Sequence, residues 1–358
     1  MKVLEAVPQG IRGLADYEAH ARARLTPAAW AYFAASAGDG LTLRANRAAW
    51  DALALWPRVL RPLAGLTTEI DLLGRRWPTP FLAAPMALQQ LAHPDAELGM
   101  ALAAAAQGAG LVLSMQSSLP LERVAEAVHD EADRGPLWFQ LYPLASRAAT
   151  LERAQRAEAA GFEALVLTVD ASVRAPHAGA GALPADAAPA ASGLEDLLAR
   201  APTWDDVAWL RSHARLPVLL KGVLHPEDAR EAARLGVAGL IVSNHGGRVL
   251  DGAVATAAAL PRISDAVGDA LPLLVDGGIA RGTDVVKALA LGARAVLVGR
   301  PLLHALGTAG AAGVAQALRL LRDELAIALA QCGLRAPAEA GRGLLGPDAG
   351  PGALADRK

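Results

Sequence analysis

Eight short apolar runs separated by Ala-rich stretches of helical character, seven of them ending in polar residues, predict an α/β protein. The architecture they imply is a single TIM-type (β/α)₈ barrel with an N-terminal helical extension and a loop over its mouth after the fourth strand. The runs are FLAAP (81–85), GLVLS (110–114), LWFQLY (137–142), ALVLTVD (164–170), PVLLKG (217–222), AGLIVSN (238–244), LPLLVDGG (271–278) and RAVLVGR (294–300). Near-continuous hydrophobicity means burial on both faces, the signature of parallel strands covered by helices.

The intervening stretches carry helix punctuation. In 222–236, Pro226 opens a helix, Glu227 and Asp228 fill its first turn, and Gly236 stops it. In 282–292, Thr283 is expected as N-cap and Gly292 as terminator. Most strands start 21 to 33 residues apart, but the fourth and fifth start 53 apart. The excess, residues 174–202, is rich in Ala, Pro and Gly and leaves the end of the barrel where such folds place their chemistry. A lid over an active site is expected there. Residues 1–80 are expected to pack on the barrel as helices, residues 81–340 to form it, and residues 341–358 to be a disordered Gly/Pro-rich tail.

Composition narrows the function. A chain of 358 residues that is 53% hydrophobic can bury one large core. Its net charge of −2 argues against a nucleic-acid groove, which needs a concentrated basic face. The lone cysteine, Cys332, cannot form an intrachain disulfide and reads as a structural thiol of a reducing compartment. No segment has the form of a signal peptide or a membrane span, so a cytoplasmic enzyme is expected. No pair of His or Cys has metal-ligand spacing, and no metal is expected.

The chemistry gathers at the C-terminal ends of the strands: Ser114, Gln140 and Tyr142, Thr168 and Asp170, Lys221, Ser243 to His245, Asp276 and Arg300. So many polar groups on one face point to a polar ligand bound across the barrel mouth. Of 34 basic residues only four are lysines, at 2, 221, 287 and 358, and one of these ends an apolar strand. A compact point charge there suits a focused anionic atom. SNHGGR (243–248) sets a histidine beside two glycines and an arginine on a strand-end loop, the pattern of a catalytic base near a ligand. VDGGIARGTD (275–284) and VGRP (298–301) occupy the loops that build the phosphate site of many barrels.

At these residues the chain resembles the FMN-dependent 2-hydroxy acid oxidases and dehydrogenases, the family of glycolate oxidase, lactate oxidase and mandelate dehydrogenase. The resemblance spans about residues 12–340 and rests on nine segments in order. They are LTLRANRAAWD (41–51), QQLAHPDAE (89–97), WFQLY (138–142), LTVD (167–170), TWDDVAWLR (203–211), LPVLLKGV (216–223), GLIVSNHGGRVLDG (239–252), VDGGIARGTDVVKALALGA (275–293) and VGRPLL (298–303). The resemblance implies that His245 is the base, oriented by Asp170, and that Lys221 faces the N1/O2 edge of FMN. It implies that Arg248 and Tyr32 hold the substrate carboxylate and Tyr142 reaches the hydroxyl. Ser114, Gln140, Thr168 and Ser243, with the backbone of Pro85, Met86 and Ala87, would contact the flavin ring or ribityl chain. Asp276, Gly277, Gly278, Gly299 and Arg300 would serve the ribityl and phosphate end. An electron acceptor, O2 or another oxidant, and a homotetramer are also implied.

The chain departs from the family pattern. Ala280 stands where a phosphate-contacting Arg is usual, with Arg281 next to it as a substitute. Met86 replaces a common Thr, and Gln116 a Trp frequent in glycolate enzymes. The loop reads ASVRAPHAGAG, so only Arg174 or His177 could serve as a second carboxylate clamp, or it is absent. Two substrate classes therefore stay open: a small 2-hydroxy acid, or a bulkier or less acidic relative such as an ester, lactone or peptide-linked hydroxy acid. A flavin-binding scaffold without turnover would not need His245, Asp170, Lys221 and Arg248 together.

Overall fold

A computed structural model of the chain describes residues 5–144, 146–171, 194–199 and 201–346. Eight parallel strands close into a barrel: β3 (Phe81–Ala83), β4 (Gly110–Ser114), β5 (Leu137–Leu141), β6 (Ala164–Thr168), β7 (Val218–Val223), β8 (Gly239–Val242), β9 (Leu273–Val275) and β10 (Ala295–Val298), with β10 returning to β3. Each coincides with one of the eight apolar runs. An antiparallel hairpin, β1 (Ile70–Leu72) and β2 (Arg75–Trp77), precedes them.

Two hydrophobic populations separate along each strand. Leu82, Val112, Trp138, Ala164, Val166, Leu219, Ile241, Leu274, Ala295 and Leu297 form a cluster of their own, joined by Leu72 and Trp77 of the hairpin. Their sequence neighbours belong to the larger cluster shared with the helices. Strand side chains alternate faces, so the first set fills the barrel and the second packs outward. Trp77 meets Trp138 edge to face at 5.3 Å and is buried, which places the hairpin against the barrel filling.

The helix expected in 222–236 is α9 (Pro226–Leu235), with Gly236 in the left-handed conformation at its end (φ 70°). The His225 side chain caps its start by accepting from Glu227 N. The helix expected in 282–292 is α11 (Gly282–Ala290), but Thr283 is not its cap. Arg281 holds the N-cap position, and the buried Asp284 carboxylate accepts from Ala280 N and Arg281 N, each at 3.0 Å. An acid three residues into the helix reaches back over two orphan N–H groups, which a hydroxyl at 283 cannot do.

Before the barrel, helices α1 (Tyr17–Arg24), α2 (Pro27–Ala34) and α3 (Leu41–Ala52) supply side chains to the outer core, among them Tyr17, Phe33 and Trp50. Trp50 and Tyr17 are fully buried. The last helix, α12 (Arg300–Gln331), bends where Ala309 and Gly310 leave helical geometry. Residues 341–346 depart from the expected tail: Arg342–Leu344 form a 3₁₀ turn, Trp56 N donates to Leu344 O at 2.7 Å, and Leu55 bridges Leu345. Buried Leu344 anchors that turn, an apolar contact hidden in a Gly-rich stretch.

Candidate active site at the barrel mouth

The polar strand ends follow from strand parity. Ser114 lies two residues beyond the inward Val112, Gln140 beyond Trp138, Thr168 beyond Val166, and Lys221 beyond Leu219. In the same way Ser243 follows Ile241, Asp276 follows Leu274 and Gly299 follows Leu297. A period of two keeps all seven on the barrel's inside, one layer above the apolar filling. Ser114 pairs in register with Gln140, and Thr168 with Lys221.

Within this layer the contacts converge. Lys221 Nζ donates to Ser243 Oγ at 2.9 Å and lies 3.1 Å from Asp276 Oδ2. Ser243 Oγ also accepts from His245 N at 3.0 Å. His245 Nδ1 sits 3.0 Å from Asp170 Oδ1. The backbone at His245 is left-handed (φ 57°) and runs into Gly246 (φ 61°) and Gly247 (φ 76°), a turn closed by Gly247 N donating to Asn244 O. Histidine visits that region more readily than most residues. A Cβ at Gly247 would meet Leu43 N at 2.6 Å, so α3 needs glycine there to approach.

Electrostatics suit a base. Burial and the nearby Lys221 charge lower the His245 pKa, against the opposing pull of Asp170, so the imidazole is neutral near pH 7. Burial would raise the Asp170 carboxyl, but His245 and Lys221 overcome it and hold it below the ordinary value. For Lys221, burial disfavours the ammonium, yet the Asp276 and Asp170 carboxylates outweigh it and raise its pKa. The site thus contains a neutral base, a fixed cation and an ionised Asp170.

The two arginines of the site share a partner that sequence reading missed: the C-terminal end of α2. Arg248 donates from Nη1 to Phe33 O (3.1 Å) and from Nη2 to Tyr32 O (3.1 Å), and its guanidinium lies over the Tyr32 ring at 5.4 Å. Arg300 donates to Phe33 O, Ala35 O and Gly246 O at 3.2, 3.0 and 2.9 Å. Cations at a helix C-terminus are favoured by its unsatisfied carbonyls and dipole. Burial lowers the Arg300 pKa to about 10, still charged at neutral pH. Arg281, expected to stand in for the residue missing at 280, pairs with Asp51 at 2.7 Å and is 56% exposed. Tyr142 follows β5, its N–H directed at Met115 Sδ. Pro85, Met86 and Ala87 form the loop after β3, where Met86 O accepts from Gln89 Nε2. Arg174 and His177 lie outside the described residues.

Several buried polar atoms in and just above this layer have no hydrogen-bond partner among the described residues: Gln140 Nε2, Thr168 Oγ1, Asp276 Oδ1 and Asp170 Oδ2. Buried polar groups are normally satisfied, and a set of them on one inner layer marks where a ligand's polar atoms belong. Gly277 and Gly278, both left-handed (φ 88° and 86°), turn the backbone sharply after Asp276. Donors and acceptors in the layer, a lysine beside them and a glycine turn at one end fit a polar ring with an anionic tail.

Comparison with known proteins decides the family. The profile of the FMN-dependent dehydrogenases matches residues 21–178 and 175–347. The chain belongs to the FMN-dependent dehydrogenase family. FMN is therefore its cofactor, and it is an oxidoreductase acting on a CH–OH group. It is 46% identical to an L-lactate oxidase of Alicycliphilus denitrificans over 355 residues, 93% of this chain and 96% of that protein. It is 43% identical to a 4-hydroxymandelate oxidase of Amycolatopsis orientalis over 342 residues, covering 89% and 94%. Crystalline mandelate oxidase with benzoyl-formic acid superposes with a TM-score of 0.86 at 42% identity, covering 94% of this chain and 98% of that one. The resemblance expected from nine segments thus extends over nearly the whole chain.

Proposed function

We propose that this enzyme oxidises a 2-hydroxy acid to the 2-oxo acid, with His245 as base and Asp170 as the group that orients it. The observation carrying this reading is the 3.0 Å contact between His245 Nδ1 and Asp170 Oδ1 beside a buried, charged Lys221. With Nδ1–H directed at the carboxylate, the lone pair of His245 Nε2 is left to take a proton from the substrate. Asp170 stays ionised and stabilises the imidazolium that results. FMN, when bound, supplies at N5 the acceptor for the two electrons and the remaining hydrogen that leave the substrate carbon. Lys221 sets a fixed positive charge in the ring layer, where preorganised charge lowers the barrier without reorganisation. Ser114, Gln140, Thr168 and Ser243 would bind the ring and ribityl chain, with backbone of Pro85, Met86 and Ala87. Asp276, Gly277, Gly278, Gly299 and Arg300 would hold the ribityl and phosphate end.

Arg248 would clamp the substrate carboxylate, with the Tyr32 and Tyr142 hydroxyls beside it and Arg174 as a second cation. A charge-assisted fork of this kind favours a carboxylate over a neutral group. Relatives named for lactate, glycolate, 2-hydroxy acids and 4-hydroxymandelate support the class. As in oxidases, O2 would reoxidise the flavin. We place the enzyme in the cytoplasm as a homotetramer; the reading draws on its single buried cysteine and on exposed apolar side chains such as Trp56 and Leu60.

The test is anaerobic titration of the yellow holoprotein with a panel of 2-hydroxy acids, their esters and lactones. Bleaching by free acids is expected. Bleaching by esters or lactones alone would transfer the activity to less acidic substrates, and released FAD in place of FMN would overturn the cofactor assignment.

A further inference from the structure

Helix α3 touches both loops that the proposed chemistry depends on, at successive positions along one turn. Asn46 and Asn244, both buried, exchange side-chain amides: each Nδ2 donates to the other's Oδ1 at 2.8 Å. Asn46 Oδ1 also accepts from Thr256 N at 3.2 Å, and Asn244 Nδ2 donates to Val254 O at 3.0 Å. Asn244 precedes His245 in the loop after β8, so the pair fixes the base of the histidine turn. One residue on, Arg47 Nη1 donates to Gly278 O at 2.5 Å while its guanidinium forks onto the buried Asp284. One turn on, Trp50 Nε1 donates to Gly277 O at 2.8 Å, and Lys287 Nζ donates to Trp50 O at 2.8 Å. The contact is close: a Cβ at Gly278 would meet Asn46 backbone at 2.9 Å, and one at Gly277 would meet Asn46 Nδ2 at 3.1 Å.

We infer that α3 is a positioning element for the reaction, in which Asn46 sets the His245 loop and Trp50, with Arg47, sets the glycine turn at the phosphate end of FMN. Residues i and i+4 lie on one helix face, so Asn46 and Trp50 present their polar atoms side by side at a separation fixed by the helix. A buried amide pair joined by two reciprocal hydrogen bonds is held rigidly because flipping either amide breaks both bonds. None of these side chains belongs to the inner layer that meets the cofactor. Their effect passes through Asn244 and through the carbonyls of Gly277 and Gly278. The inference rests on the proposed role of His245 for its kinetic half and on family membership for its FMN half.

The division of labour is testable. Asn46→Ala holoenzyme is expected to lose roughly 30-fold or more in the rate of anaerobic flavin reduction, while its FMN dissociation constant stays within about threefold of the wild type. Trp50→Phe, which keeps an aromatic though smaller side chain and removes the indole N–H, is expected to show the opposite weighting: FMN binding about tenfold weaker, with the smaller change in reduction rate. Arg44→Ala, an exposed change on the same helix, serves as control for a general loosening. Should Asn46→Ala be insoluble, Asn46→Asp decides. A protonated carboxyl restores the reciprocal pair with Asn244, whereas a carboxylate faces Asn244 Oδ1 with repulsion. Its reduction rate relative to wild type should therefore rise as pH falls from 8 to 5. A flat ratio, or equal losses of FMN affinity and reduction rate in Asn46→Ala and Trp50→Phe, overturns the inference. If no 2-hydroxy acid bleaches even the wild type, the proposed substrate class fails, and FMN affinity alone decides the helix: weakened by Trp50→Phe only supports it, weakened alike by both refutes it.

Discussion

Gly222 and Asp170 share a space that admits one side chain. Gly222 holds φ 111°, and a Cβ placed on it would stand 2.5 Å from Asp170 Cβ and 2.6 Å from Cγ. The residue after Lys221 must therefore lack a side chain if Asp170 is to reach His245. Gly222→Ala is expected to fold at a cost of about 1–3 kcal/mol and to lower flavin reduction by about 10²-fold, the scale of a 1 Å misplacement. Stopped-flow reduction beside thermal melting separates the two effects; a variant that reduces its flavin at the wild-type rate would show that Asp170 does not orient the base.

His245→Gln should retain FMN and lose about 10⁴-fold in reduction rate, the upper range for a positioned general base. The visible spectrum reports the first and single-turnover kinetics the second.

The pH dependence has a sign that two variants should move in opposite directions. With His245 as the proposed base working unprotonated, reduction is lost as pH falls through its pKa, which burial and Lys221 hold below the ordinary value of about 6.5. Asp170 favours the imidazolium; Asp170→Asn should move the acid limb to lower pH as well as slowing the reaction. Lys221 disfavours the imidazolium, and Lys221→Met should move the limb to higher pH. Profiles of reduction rate from pH 4.5 to 8.5 check both; limbs displaced the same way would contradict the coupling.

Arg248→Lys keeps the charge but loses the planar fork that bonds Tyr32 O and Phe33 O and stacks over Tyr32. The expected result is a KM for 2-hydroxy acids raised roughly ten- to a hundredfold, the equivalent of one charge-assisted hydrogen bond. Steady-state kinetics on a small and an aromatic acid measure it. Arg174→Ala is expected to raise KM by a similar factor for small acids, which offer no apolar contacts to replace the lost cation.

The barrel and the inner polar layer were legible in the sequence for one reason. A buried parallel strand is an unbroken apolar run, so Ser114, Gln140, Thr168, Lys221 and Asp276 stand out at its end. The hairpin was not, because Ile70–Leu72 and Arg75–Trp77 are three residues each and half charged, too short for periodicity to show. Long-range partnerships also left no local trace. Nothing near Arg248 or Arg300 announces that both grip the end of α2, more than 200 residues earlier. A separation of 198 residues likewise hides Asn46 from Asn244. Asp284 is a milder case: its acid three residues into α11 was visible, but Thr283 offered the more familiar cap.

Trp77 gives the barrel a floor. Among the described residues, the hairpin seated against Trp138 and the filling of Leu, Val and Ile above it close the barrel below the polar layer, which faces the loops that follow the strands. On the proposed function, substrate, product and oxidant would all pass that face. The 2-oxo acid must leave before the next 2-hydroxy acid arrives, and with Arg248 as the proposed clamp it would compete for the same guanidinium. Product inhibition should therefore be competitive. An oxidant too large to pass a bound product would have to wait its turn, whereas dioxygen would not, so the size of the acceptor sets whether turnover is ordered or overlapping.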